Sequence, residues 1–378
     1  MMYLDHAATT PMRPEAAEAM APYLAERFGN PSGLHGVSQA AKNALEGARE
    51  AAAELLGGTR PLEIVFTGGG SESDNLAVKG AALANGARRG VVTAAVEHEA
   101  VLASAEFVSA MGCPVSVVGV SPDGVVDPDE VAAAVDGDTA VVSVMAANNE
   151  TGVIQPVRKI VEQVKAVSPD VPVHTDAVQM FVTEDVSIDQ LGVDMITLSG
   201  HKFGGPQGVG LLWVRDGVKL EPAIHGGGQE LGRRSGTHNV AGIVGMAAAM
   251  EAAARTRQSV RDVVRDVRDD FEARLTAAHP DAVVTASGEE RLVQHSHFRI
   301  PGVLAETLLV LLDQAGLAAA AGSACHSGAI EVSHVLAAMG MDQRDAQECV
   351  RFSFGWTTAP GDGRKAADLV GAAVGSLR

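Results

Sequence analysis

The chain has 378 residues, 46% of them hydrophobic and 20% charged, with a net charge of −18. That length exceeds what one hydrophobic core usually takes, and the acidity disfavours nucleic-acid backbones and anionic membranes as direct partners. Three cysteines without a CxxC pair argue against a disulfide framework and for a reducing cytosol.

The opening MMYLDHAATTP has no basic segment followed by an apolar run, so it does not read as a signal peptide, and no apolar run approaches a membrane span. Val37, Ala41, Leu45, Ala48, Ala52 and Leu55 recur at helix spacing. Then strand and helix signals alternate. EIVFT (63–67), GVVTAAV (90–96), CPVSVVGV (113–120), TAVVSVM (139–145), VPVH (171–174), DMITLS (194–199) and VGLLWV (209–214) are short apolar runs, most of them separated by enough residues for a helix. This predicts an α/β fold whose large domain has a mostly parallel, seven-stranded-type sheet flanked by helices. An Ala-rich helical stretch runs from beyond Gly236 to Ala278, and mixed strand and helix signals follow Pro280. The expected division is a large domain over 13–250 and a smaller α+β domain over 251–378, joined by residues 1–12.

In an open α/β sheet, ligands bind beyond the carboxyl ends of the strands. EIVFT is followed by GGGSESDN, where Ser71 and Asp74 are spaced as a capping box at a helix start. A helix N-terminus favours a phosphate, although on this stretch alone a tight turn with an ordinary cap explains as much. Glu97 and His98 follow the next strand, Asn148 and Asn149 another. Asp176 and Gln179 follow VPVHT, and Ser199, His201 and Lys202 follow MITL. A lone histidine is more often structural and asparagines usually form turns. A carboxylate and a lysine at buried strand ends are harder to dismiss, because burying either unpaired is costly. One ligand accounts for all five ends. Pyridoxal phosphate needs a lysine for its aldehyde, an acid for its pyridine nitrogen, and hydroxyls with helix N–H groups for its phosphate. The histidines lack metal-ligand spacing, so no resident metal is expected.

The ordered stretches YLDHAATTP, FGNPSGLH, VFTGGGSESDNLAVKG, VEHEAV, ANNETGVIQP, HTDAVQ, SGHKFGGPQGVG, HGGGQE, RSGTHN, GSACHSG and VRFSFG cover almost the whole chain. Together they resemble the cysteine desulfurases of the nitrogen-fixation and iron–sulfur-assembly type, fold-type I pyridoxal phosphate enzymes of the class V aminotransferase superfamily. The resemblance implies that Lys202 carries the cofactor and moves a proton. It implies that Asp176 pairs with the pyridine nitrogen, Gln179 contacts the ring oxygen, and His98 stacks on the ring and assists proton transfer. Gly70, Ser71, Ser199 and His201 would hold the phosphate. Thr237 would reach the phosphate of the other subunit, which implies a homodimer. Asn149, beside the cofactor, and Arg351 would bind the substrate carboxylate; an arginine fork suits that group.

Cys325, in GSACHSG, would be the nucleophile that takes sulfur from L-cysteine as a persulfide, releases L-alanine, and passes the sulfur to an acceptor protein. It would also be a transient ligand to iron–sulfur cargo. Small residues around it suit a moving segment. His326 follows the cysteine where the family usually has a small residue, and Val332 replaces a usual proline. An adjacent imidazole can favour a thiolate. Two other functions fit the residues less closely: a selenocysteine lyase or another class V lyase, and a non-catalytic sulfur-relay or scaffold subunit.

Overall fold

The computed structural model describes residues 1–84, 86–322 and 333–378. Strand β1 (Met2–Tyr3) precedes helices α1 (Pro14–Leu24) and α2 (Gly36–Leu55). The alternating region follows: β2 (Ile64–Thr67), α3 (Gly70–Ala84), β3 (Gly90–Ala94), α4 (Glu99–Ala110), β4 (Val115–Val118), α5 (Pro128–Ala133), β5 (Thr139–Ser143), α6 (Val157–Val167), β6 (Val173–Asp176), α7 (Ile188–Leu191), β7 (Met195–Ser199) and β8 (Gly210–Val214). The remainder is α8 (Val240–Ala278), β9 (Val283–Val284), β10 (His295–Arg299), α9 (Ala305–Gln314), β11 (Leu317–Ala318), α10 (His334–Ala338), α11 (Gln343–Ala346), β12 (Cys349–Ser353) and α12 (Asp362–Leu377).

Seven strands form the large sheet in the order β2-β8-β7-β6-β5-β3-β4. All neighbouring pairs are parallel except those of β8, which runs antiparallel to both β7 and β2. The reversal has a local cause. Parallel crossovers need a dozen or more residues, and the connection between β7 and β8 is too short for one. That connection carries Lys202, so the lysine sits where the chain turns back at the sheet's carboxyl edge. Close packing underlies the turn: a Cβ on Gly210 would meet the backbone of Gly69 at 2.7 Å.

Both faces of the sheet are covered. One large apolar cluster includes Ile64, Val92, Val142, Ile160, Val173, Ile196 and Leu211; a second, on alternate residues of the same strands, includes Val65, Val91, Val141, Met195 and Leu212. Burial on both faces is why these strands read as continuous apolar runs. Helix α6 shows the matching helical pattern, burying Val157, Ile160, Val161 and Val164. Val37, counted above on the buried face of α2, is exposed, and that face begins with Ser38 and Ala41.

A third cluster holds Leu4, Val264, Phe271, Phe298, Leu308, Leu317, Phe352 and Val370. Around it lies the small antiparallel sheet β12-β10-β9, and β1 pairs with β11. Helix α8 runs through both regions without a break. Ile243 to Ala253 pack in the large core and Val264 to Leu275 in the small one. The boundary expected at 250/251 falls within this helix, whose large-core packing continues to Ala253. Its 39 residues span about 58 Å.

Candidate active site

The carboxyl edge of the large sheet opens into a cavity of about 690 Å³, within the size range of small-molecule sites. Its lining includes Gly70, Ser71, His98, Asn149, Asp176, Gln179, Ser199, His201, Lys202 and Arg351. Ten residues singled out from the sequence thus converge. Thr237 does not join them. It lines a separate, smaller pocket with Phe66, Arg234 and His238, and the two pockets share Gly68 and Gly208. Cys325 and His326 lie outside the described residues, as does Val332.

Asp176 ends β6, and its Oδ1 accepts the Val178 N–H at 2.9 Å. Burial pushes its carboxyl upward, while His98, that backbone N–H and the ammonium of Lys202 favour the ionised form. Lys202 follows β7 in a short helical turn, its Nζ donating to the carbonyls of Ala7 (2.6 Å) and Ala8 (3.0 Å). His98 caps α4, with Nδ1 accepting the Ala100 N–H at 3.1 Å. A neutral ring therefore carries its proton on Nε2. Burial and the neighbouring Lys202 push His201 down to about 4, so it is neutral at pH 7. Its Nδ1 lies 3.1 Å from Thr9 Oγ1.

The capping box expected for Ser71 and Asp74 is not formed. The helix already begins at Gly70, and the Ser73 N–H reaches the Gly69 carbonyl at 3.1 Å. Ser71 therefore sits inside the first turn, with an exposed side chain at the cavity. Glu72 ties down the preceding turn instead, accepting the Gly68 N–H at 2.8 Å and pairing with Arg234. Asp74 is 1% exposed and borders the cavity floor.

Arg351, on β12, reaches the cavity from the small domain. Its Nη1 donates to the Asn149 carbonyl and its Nη2 to Asp5 Oδ1, both at 2.8 Å. Buried Nε has no partner among the described residues. Sequence reasoning missed Asp5, Thr9, Glu72, Gln207 and His334. Asp5 and Thr9 lie in the quoted YLDHAATTP stretch, but only the fold shows residues 5–10 crossing the site. His334 borders the cavity and donates Nε2–H to the Glu97 carbonyl at 2.8 Å.

These residues fit pyridoxal phosphate. A lysine and a buried aspartate face one cavity, and a helix N-terminus with Ser71 and Ser199 supplies donors for a phosphate. Gln179 donates to the Ala7 carbonyl at 3.0 Å, leaving its buried Oε1 without a partner among the described residues, available to a ligand polar group.

Fold and site together define a class: residues 2–362 match the aminotransferase class-V family model, and the chain belongs to that family. Within it, the chain is 40% identical to the cysteine desulfurase IscS of Dictyoglomus turgidum, over all of this chain and 95% of that protein. It is 39% identical to the cysteine desulfurase NifS of Azotobacter vinelandii, over 93% of this chain and 87% of that protein. Among solved structures, a NifS-like protein superposes with a TM-score of 0.92 at 36% identity, covering 99% of both chains. No helix among the described residues is long and apolar enough to cross a membrane.

Proposed function

We infer that the protein is a pyridoxal-phosphate-dependent cysteine desulfurase. It converts L-cysteine to L-alanine and donates the sulfur for iron–sulfur clusters or other thio-cofactors. The convergence of Lys202, Asp176 and His98 beside the N-terminus of α3 carries this reading.

Bound in the cavity, pyridoxal phosphate supplies an electron sink for bond breaking at the substrate carbons. The chain does the rest. Lys202 would hold the cofactor aldehyde and move a proton at the substrate α-carbon. Asp176 would present a carboxylate to the ring nitrogen, Gln179 would contact the ring oxygen, and His98 would lie against the ring. Ser71, Ser199 and His201 would hold the phosphate with the N–H groups of Gly70 and Ser71 at the start of α3. Arg351 and Asn149 hold the substrate carboxylate. Asp5 and the Asn149 carbonyl hold the guanidinium through Nη2 and Nη1, which fixes its orientation, and Nε is left without a partner among the described residues.

The Cys325 thiolate attacks the substrate sulfur. An S–S bond forms, the C–S bond breaks, and its electron pair stays with the carbon, which gains a proton and leaves as alanine. The enzyme keeps one sulfur atom as a persulfide. The other cysteines are unsuited to this. Cys113 is buried, and burial pushes the Cys349 thiol up to about 12. Cys325→Ala should therefore bind L-cysteine but yield no alanine and no protein species heavier by one sulfur atom, read by mass spectrometry. A persulfide on Cys113 or Cys349 in the parent would overturn the assignment.

The working form is a homodimer, in which Thr237 contributes to the partner's phosphate site. Two observations support this. Thr237 lies outside its own chain's cavity, and Leu24, Phe28 and Leu34 are largely exposed. Dimer dissociation and cofactor loss should then occur together on dilution, and Thr237→Ala should speed cofactor release without dissociating the dimer. A monomer that keeps its cofactor as well as the dimer does would contradict this. The cytoplasm is the compartment that suits a reactive thiol, and the sulfur acceptor is a partner protein.

A further inference from the structure

The floor of the cavity carries more acid than the reaction uses. Asp74 on α3 and Asp176 on β6 border the cavity and are 1% and 7% exposed, and Glu97 after β3, fully buried, lies near enough to act on Asp74. One carboxylate oxygen each of Asp74 and Asp176 and a ring nitrogen of His98 lie within 4.8 Å of one another. Two carboxylates this close, both buried, repel strongly in a medium that screens poorly, so the pair retains a proton.

The surroundings decide which carboxyl keeps it. His98 and Lys202 both face Asp176 and favour its charge. A ring nitrogen of His98 also lies within 4.8 Å of Asp74, but no lysine or arginine among the described residues favours the Asp74 charge as Lys202 does for Asp176. Burial, then Asp176 and Glu97, all disfavour its ionised form, and only the Thr197 hydroxyl on β7 opposes them. His174 on β6 lies 3.8 Å from Asp74 Oδ1, but burial pushes it down to about 3. Its ring nitrogens are already bonded at 2.9 Å to the hydroxyls of Ser143 and Thr197. Glu97 accepts the Met145 N–H at 2.7 Å and brings no positive charge. On α3 itself, Glu72 is paired with Arg234. Asp74 Oδ1 has no hydrogen-bond partner among the described residues.

We propose that Asp74 is the proton-bearing, neutral member of a carboxyl pair with Asp176, a positioning residue that leaves Asp176 as the pair's single negative charge toward the cofactor ring nitrogen. This rests on the assignment of Asp176 to that nitrogen. A second ionised carboxylate would drive Asp176 toward protonation and remove the charge the ring needs. An apolar truncation would open the floor to water and weaken the ion pair above it.

The test uses the holoenzyme and Asp74→Asn, Asp74→Ala and Asp176→Asn. Asp74→Ala should weaken pyridoxal phosphate binding roughly tenfold or more, the scale seen when a supporting partner of a bound group is lost. Asparagine, always neutral and nearly isosteric, should recover most of that loss. The infrared band of a protonated carboxylic acid at neutral pH should lose a component in Asp74→Asn, distinct from any component lost in Glu97→Gln.

The folded protein holds the Asp74 proton above the ordinary aspartate value of 3.8, so its stability falls as pH rises from there, a penalty absent from Asp74→Asn. The melting temperature of Asp74→Asn relative to the parent should therefore climb as pH rises above the ordinary aspartate value of 3.8. An unchanged infrared band with a gap that is flat in pH would overturn the proposal. So would asparagine binding as poorly as alanine. Undiminished cofactor binding by Asp176→Asn would instead sink the Asp176 assignment, and the infrared result would still report where the proton resides.

Discussion

Lys202→Ala should abolish borohydride-stable attachment of pyridoxal phosphate and lower alanine formation by on the order of a thousandfold or more, because in the proposed assignment one residue supplies both the covalent link and the proton carrier. No other lysine borders the cavity among the described residues. The ammonium is held in place by the Ala7 and Ala8 carbonyls, at 2.6 Å and 3.0 Å. Both lie in the N-terminal segment that crosses the site, so the reactive group is oriented by a part of the chain remote in sequence. Peptide mapping after borohydride reduction reads the outcome. Label on any lysine other than Lys202 would overturn the assignment.

The largest effect on stability should come from Glu230→Ala. Arg49 on α2 donates Nη1 to Glu230 Oε2 at 2.7 Å and Nη2 to Oε1 at 2.9 Å, a bidentate pair with both side chains buried. His238 lies 2.7 Å from Oε1, and the Phe66 N–H donates to Oε2 at 3.2 Å. Removing the carboxylate leaves the buried guanidinium with the Ile64 carbonyl and the half-exposed Glu46 as its remaining partners. The expected cost is about 3 kcal/mol, the lower end for breaking a buried pair. Denaturant unfolding checks it, and a loss below about 1 kcal/mol would mean that the pair contributes no more than a surface bridge.

The pair also sets an acid limit. Burial opposes ionisation of Glu230, but the bonds from Arg49 and His238 outweigh it and hold the carboxyl down to about 2. Its contribution is thus present above the ordinary glutamate value of 4.5 and is lost as pH falls toward about 2. Because His238 adjoins Thr237, acidification should loosen the segment proposed to reach the partner's phosphate.

Much of this was legible in the sequence because the signals are local. Strands buried on both faces have to be apolar throughout, so β2, β5 and β7 stand out as runs, and α6 declares itself by its 3.6-residue spacing. A lysine or an aspartate just beyond such a run lies at a strand end whatever the rest of the chain does. Hence Lys202, Asp176 and Ser199 could be assigned to one edge, and the ordered motifs pointed to a family with one cofactor and one reaction.

Tertiary structure decided what depends on residues far apart. The helix expected to start after an N-cap at Ser71 begins two residues earlier, at Gly70, so the expected capping partner, Asp74, is instead a buried acid facing Asp176. Arg351 meets Asp5 across 346 residues because β12 and the N-terminal segment pack side by side. Thr237 was drawn into a neighbouring pocket by a turn anchored on Arg49. Sequence by itself determined which residue types stand at the ends of buried strands, since burial and periodicity act over a few residues. Only the folded chain decided which charges face each other, since Coulomb interactions depend on distance and burial in space, and neither follows from separation along the chain.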